Sequence, residues 1–385
     1  MSNNINRRRV LRAAAALGSA ALTGRVLGAD APSVGGSASA QVELKGPDPK
    51  PAATGPAQKV FPRWKGFNFT YFFNKWSDRN PLEDDFRWMR DWGFDFIRLP
   101  STYKFWTDEK DVYKVKEESL AKIDAVLDWG RKYGLHISFN FHRGPGYCVN
   151  PDDAEPFNLW KDQSALDAFC WHWALFAKRY KGIASKLVSF DLLNEPPAPD
   201  GGQMTRDDYS RVVRAATKAI RDIDPQRLII ADGVSWGNQT CPELADLGIG
   251  QSTRGYQPME ISHYKASWVN GERFAEPIWP DPEKKNHQWD RVRLEELYKP
   301  WAGLARRGIG VHCGECGAYS KTPHAVFLAW FRDCLDILKG HNIGFALWNF
   351  RGTFGILDSE RADVAYEDFH GRKLDRKLLS LLQSM

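Results

Sequence analysis

An α/β chain folded as a (β/α)8 TIM barrel is what this sequence predicts, on three observations. From Val60 onward, eight short runs of branched and aromatic residues alternate with stretches of helical spacing, the order that builds parallel sheets. The first run leads into Phe67-Asn68-Phe69-Thr70-Tyr71, without the glycines that a doubly wound open sheet places there to receive a phosphate. The runs end almost every time in polar or aromatic residues, and a barrel gathers its functional side chains at the carboxyl ends of its strands.

Taken in order, strands are expected at 66–70, 94–99, 135–141, 187–193, 227–231, 259–263, 310–313 and 344–348. Helical spacing is expected over 82–92, 117–133, 164–180, 206–223, 291–307 and 324–339, and it is poor between the fifth and sixth strands. The fourth strand is the clearest. Leu187, Val188, Phe190, Leu192 and Leu193 form its apolar run, and Pro196 and Pro197, which have no N–H to donate, stop the ladder directly after Glu195. Glu195 is thereby expected to project from the strand's carboxyl end.

The other ends carry comparable residues. The second strand ends in Ile97-Arg98-Leu99-Pro100 and the third in Asn140-Phe141-His142-Arg143. The sixth is expected to end in Ser262-His263-Tyr264, the seventh ends in Gly314-Glu315-Cys316-Gly317, and the eighth in Leu347-Trp348-Asn349. Each has a bland reading: Arg98 as partner of a structural acid, His142 and His263 as interior histidines, Trp348 as core. Agreement among six strand ends favours the functional one.

Charge narrows the class. The chain has 385 residues and a net charge of +5, and residues 1–59 hold all of that excess, with eight Lys/Arg against three Asp/Glu. The remainder is balanced, so nothing suggests the basic face that nucleic acid requires. Asn6-Arg7-Arg8-Arg9-Val10-Leu11-Arg12, with the short apolar run of residues 13–22 behind it, reads as a twin-arginine export signal over residues 1–29. That run is too short for a membrane span. Ala38-Ser39-Ala40 is a second place for cleavage, and residues 30–59, rich in Pro, Gly, Ala and Ser, read as a linker. Residues 60–385 form the single barrel domain, expected as a soluble monomer exported to the periplasm or beyond.

Six cysteines are too few for a disulfide scaffold in a domain of this size. Cys313 and Cys316 form one C-x-x-C, but a zinc site wants a second such pair or a close histidine pair, so neither metal nor other cofactor is expected.

Two glutamates at the ends of the fourth and seventh strands face each other across an eight-stranded barrel. Glycoside hydrolysis needs that arrangement: one carboxylic acid protonates the leaving oxygen while a carboxylate works opposite it. On these strand ends, over roughly residues 60–385, the chain resembles glycoside hydrolase family 5, the cellulase-like retaining β-glycosidases. The resemblance implies Glu195 as acid/base, Glu315 as nucleophile and Asn194 as hydrogen-bond partner of the sugar 2-hydroxyl. It further implies Arg98 and Tyr264 orienting Glu315, His142 and His263 lining the cleft, and Trp348 as the platform under the reactive ring. Where the family commonly reads Gly-Glu-Phe-Gly, Cys316 follows Glu315 here, which alters packing behind the nucleophile.

Of the other loop aromatics, Trp106, Trp160 and Trp279 are expected to be structural, and Trp236 and Trp268 are candidate subsite walls. The expected partner is an oligo- or polysaccharide, foremost a β-1,4-linked glucan. β-Mannan, xyloglucan and exo-acting glycoside cleavage compete on the same scaffold. From other classes come a catalytically silent carbohydrate-binding barrel and a redox or metal protein built on Cys313 and Cys316.

Overall fold

The structure, a computed structural model, describes residues 61–385 apart from 78, 109, 151–153 and 284–287. The export signal expected over 1–29 and the linker over 30–59 lie outside the described residues. No helix among the described residues is long and apolar enough to cross a membrane.

Eight parallel strands close into a barrel. In chain order they are β1 (Lys65–Asn68), β2 (Phe96–Thr102), β3 (His136–Gly144), β4 (Val188–Asp191), β5 (Leu228–Asp232), β6 (Gly250–Gly255), β7 (Val311–Cys316) and β8 (Gly344–Leu347). Each pairs in parallel with the next, and β1 also pairs with β8, which closes the ring. Around it run α1 (Glu83–Asp91), α2 (Glu117–Tyr133), α3 (Gln163–Arg179), α4 (Arg206–Arg221), α5 (Arg291–Arg306), α6 (His324–Gly340) and α7 (Arg376–Ser384). Local chemistry sets several boundaries. Gly134 takes the left-handed conformation, φ 66°, that ends α2, and Thr205 with Asp208 forms a capping box that starts α4. The link from β5 to β6 replaces its helix with one turn at Val234–Gly237 and a 3-10 segment at Pro242–Leu247, in keeping with the poor helical signal there.

The sixth strand corrects the sequence reading. It is Gly250–Gly255, while Met259–Ser262, within the expected strand at 259–263, is a single helical turn. The physical reason lies in what β6 faces. Every residue of Gly-Gln-Ser-Thr-Arg-Gly is buried, yet the strand carries no apolar side chain. Gln251 bonds the backbone of Cys241 at both N–H and carbonyl, Thr253 donates to Gly237 O, and Ser252 accepts from Arg254. A strand satisfied this way leaves no hydrophobic alternation to detect.

Two apolar layers hold the barrel. Below, Trp64, Phe96 and His136 stack, with Trp64 and His136 centroids 4.0 Å apart, and Phe61 sits on Gly250 and Gly310. A Cβ at Gly250 would stand 1.9 Å from the Phe61 ring, so that seat admits only glycine. Burial lowers His136 to about 4 and His312 to about 3, keeping both neutral in this plug. Outside, strand residues meet the helices: Phe141 stacks on Trp173 at 3.9 Å, with Phe139, Phe176 and Trp106 close by. Each such buried ring contributes about 1.5–3 kcal/mol of burial energy. The carboxyl end of the barrel interior, by contrast, is filled with charge.

Candidate active site

Arg98 on β2 and Arg254 on β6 organise the carboxyl end of the barrel. Arg98 donates through Nε to Asp191 Oδ2 at 2.7 Å, through Nη1 to Glu315 Oε1 at 2.6 Å and Asn68 Oδ1 at 3.1 Å, and through Nη2 to Asn194 Oδ1 at 2.9 Å. Arg254 donates through Nε to Glu195 Oε1 at 3.0 Å and through Nη2 to Asn194 Oδ1 at 2.9 Å, and its two terminal nitrogens form a fork on Asp232. Its Nη2 also lies 3.6 Å from Glu315 Oε1. Both arginines are essentially unexposed, so their charges are compensated inside the protein, by Asp191, Asp232, Glu195 and Glu315.

Glu195 follows β4, and its backbone explains why it leaves the sheet. At φ 49° it sits in the left-handed region, a costly place for a residue with a side chain. Three contacts hold it: its N–H donates to Asp232 Oδ2 at 2.9 Å, its carbonyl accepts from Tyr147 Oη at 2.6 Å, and its carboxylate meets Arg254. The side chain is 16% exposed and its carboxyl pKa is raised to about 7, first by burial and then by the charge of Glu315, with Arg254 opposing.

Glu315 lies on β7 and receives Arg98 on Oε1 and the Tyr256 hydroxyl on Oε2 at 3.0 Å. Charged and neutral donors facing one carboxylate suit an anion. The expected hydroxyl was that of Tyr264. It belongs to Tyr256, because the sixth strand ends at Gly255, and the Tyr264 ring lies instead beside Lys265 Nζ at 4.9 Å. On either side of Glu315 along the strand, Cys313 Sγ donates to the Glu315 backbone carbonyl at 3.3 Å and Cys316 Sγ to Ala346 O at 3.4 Å, and both thiols are buried. Among the described residues no three His, Cys, Asp or Glu side chains are grouped to hold a metal.

Asn194 has its Oδ1 fixed by both guanidiniums, which orients the amide, and its buried Nδ2 has no partner among the described residues. That donor is available to a substrate hydroxyl. His142 Nε2 lies 3.2 Å from Asn150 Nδ2. Burial and then Arg98, Arg254 and Arg143 push its pKa well down, so it stays neutral. Its ring stacks on Trp348 at 5.7 Å and meets Phe73 at 4.3 Å, and Trp348 is half-buried beside it.

His263 stands further out. It contacts Ser262 Oγ at 2.8 Å and the rings of Tyr256 and Phe354 at 5.0 and 5.6 Å, and burial lowers it to about 4. Trp268, 56% exposed, joins this group through Tyr319 at 5.0 Å. Trp236, 46% exposed, is tied next to Glu195 by its backbone N–H, which donates to Pro196 O at 2.9 Å. Trp106, Trp160 and Trp279 are buried.

The structure thus brings together Glu195, Glu315, Arg98, Asn194, His142 and Trp348 and adds Arg254, Tyr256, Asp232, Asp191 and Tyr147. Asp232 has a readable signal: the apolar run Leu228-Ile229-Ile230-Ala231 ends in it as the fourth strand's run ends before Glu195. Arg254 and Tyr256 have none, since β6 carries no apolar run.

The model of the family described as Cellulase (glycosyl hydrolase family 5) matches residues 54–353. Endoglucanase C of Acetivibrio thermocellus is 27% identical over 325 residues, covering 78% of this chain and 92% of its own. Cellodextrinase A of Ruminococcus flavefaciens is 25% identical over 272 residues, covering 68% and 76%. A crystal structure described as that of a glycoside hydrolase superposes with a TM-score of 0.79 at 41% identity, covering 84% of this chain and 99% of that one.

Proposed function

This chain belongs to glycosyl hydrolase family 5 and is a glycoside hydrolase, and we propose that it cleaves a β-linked glucan by double displacement, with Glu195 as acid/base and Glu315 as nucleophile. The observation that carries this reading is the contrast between the two carboxyls. Glu315 is wrapped by Arg98 and Tyr256, as an attacking anion requires, while Glu195 is held near neutrality by burial and by Glu315 itself.

In the first step Glu315 attacks the anomeric carbon as Glu195 gives its proton to the departing glycosidic oxygen. The sugar is then esterified to Glu315. The charge of Glu315 is now gone, and Glu195 takes a proton from the water that attacks the ester, which restores Glu315 as a carboxylate. Contact of both carboxyls with one guanidinium supports the close pairing, ~5 to 5.5 Å, that retention uses. Asn194 Nδ2 serves the 2-hydroxyl and Trp348 the apolar face of the ring in the subsite that holds it, with His142 lining that subsite and His263 bracing Tyr256. Trp236 and Trp268 form subsite walls.

A β-1,4-glucan is the preferred substrate because relatives named endoglucanase and cellodextrinase span most of the barrel. β-Mannan, xyloglucan and exo-cleavage are competing outcomes. Product analysis on β-glucans, mannan, xyloglucan and aryl glycosides decides sugar and cleavage mode together. Release of cello-oligosaccharides with retained anomeric configuration is expected, and an inverted product would overturn the mechanism. We further propose export through the twin-arginine signal over 1–29, with linker 30–59 preceding a monomeric barrel. Replacing Arg8 and Arg9 by Lys is expected to leave the protein inside the cell.

A further inference from the structure

Arg254 touches both glutamates and the asparagine beside the first of them. Its Nε is 3.0 Å from Glu195, its Nη2 is 3.6 Å from Glu315 and 2.9 Å from Asn194, and its remaining donors lie on Asp232, Ser252 Oγ and Thr253 O. Asp232 braces it by a two-point fork and also receives the Glu195 N–H. A buried cation so placed does more than fill a charge balance.

We propose that Arg254, braced by Asp232, is a positioning residue that ties the two glutamates together: its charge is shared between them in the resting enzyme and falls to Glu195 once Glu315 is esterified, readying Glu195 as base for the second step. The proposal rests on Glu195 being the acid/base and Glu315 the nucleophile. Glu195 must lose its proton on cue, and the loss of one negative charge beside a fixed cation supplies the cue. In the first step the Glu315 anion keeps Glu195 protonated. In the second, the same guanidinium has one carboxylate fewer to serve, and it stabilises the Glu195 carboxylate that accepts the proton of water.

The titratable and charged groups facing Glu195 fix the direction of the test. They are Arg254 and Tyr256 from β6 and its loop, Asp232 from β5, Glu315 from β7, and Tyr147 from the hairpin after β3. Behind them lie Arg98, Asp191 and neutral His142. Of those named among the causes, burial, Glu315 and Asp232 raise the Glu195 pKa, and Arg254 lowers it.

The experiment is the pH profile of kcat/KM on phenyl cellobioside, whose weakly acidic leaving group still needs the proton of Glu195, for the full-length enzyme and two variants. Arg254→Gln removes the cation, and its alkaline limb should move up by about one to three pH units; Asp232→Asn removes an anion, and its limb should move down. In Arg254→Gln the second step should also slow, so kcat and KM fall together and a burst of phenol precedes steady state. A purely structural role predicts weakened folding without opposed limbs. Limbs that stay in place, or that move in the same direction in both variants, overturn the proposal. If Arg254→Gln does not fold, Arg254→Lys keeps the charge and should retain a limb near that of the parent, while Asp232→Asn still carries the test. Azide rescue of Glu315→Ala tests the nucleophile separately, so a failure here counts against Arg254 alone.

Discussion

The hydroxyl of Tyr256 stands 3.0 Å from Glu315 Oε2, on the side of the carboxylate that Arg98 leaves open. Tyr256 thereby holds the plane of Glu315 while the other oxygen is fixed by a guanidinium. Burial first, and then the charges of Glu315 and Glu195, hold the phenol well above its usual range, so it remains a donor.

Tyr256→Phe is therefore expected to lower kcat/KM by roughly ten- to a hundredfold, the loss of a hydrogen bond to a charged group. Tyr264→Phe should stay within about twofold of the parent. Steady-state kinetics of the two variants distinguishes them, and equal losses would show that the hydroxyl on Glu315 has no special role.

The acid limb and the alkaline limb have different origins, and the structure speaks to the alkaline one. On the proposed mechanism Glu195 serves the first step only while protonated, and its pKa is raised to about 7. A raised carboxyl pKa means the proton is present below that value and lost above it, so kcat/KM should decline as pH rises through about 7. Replacing Glu315 by Gln removes one of the causes that raise it, and a carboxyl titration of Glu195 followed by NMR should then move down. An unmoved titration would contradict the coupling.

Loss of either glutamate should have a distinct kinetic signature. Glu315→Ala is expected to abolish turnover, and azide should restore it by attacking the anomeric carbon in place of the missing carboxylate. Glu195→Ala should spare the first step for aryl glycosides with acidic leaving groups, which need no protonation, and cripple it for glucan. Equal losses on both substrates would argue against an acid role.

Trp236 holds its exposed ring on a backbone of φ 56°, tied to Pro196 beside the acid. On the proposed mechanism, in which Glu195 protonates the leaving group, Trp236 is assigned to the flank that receives the departing sugar. Trp236→Ala should raise KM for cello-oligosaccharides severalfold and leave aryl cellobiosides nearly unchanged, a loss of about 1 kcal/mol of ring stacking. A matching loss on both would place the ring elsewhere.

The outer core offers a stability test. Trp173 is fully buried and stacked on Phe141 at 3.9 Å. Trp173→Ala should cost about 3–5 kcal/mol and lower the melting temperature measured by calorimetry.

Much of the fold and of the site is legible in the amino-acid sequence. The apolar run ending in Asn194-Glu195-Pro196 announces a strand and its stop by local chemistry alone, and the same holds for Glu315 and Trp348 at the ends of β7 and β8. Hydrophobic alternation is a near-neighbour signal, so it survives in a linear reading. What it does not reveal is β6, whose buried residues are polar and are satisfied by Cys241, Gly237 and Asp232. A strand without that signal shifts the expected tyrosine from 256 to 264 and hides Arg254.

Sequence alone determined seven of the eight strands, the barrel and the place of the two glutamates at strand ends, because those follow from patterns a few residues long. Tertiary structure alone decided how they are charged. Arg98 and Glu315 are 217 residues apart, Arg254 and Glu195 are 59 apart, and each pair meets only when the ring closes and water is excluded. Excluded water raises Glu195 toward neutrality and makes two guanidiniums worth burying, and no linear pattern records which charges will share that space.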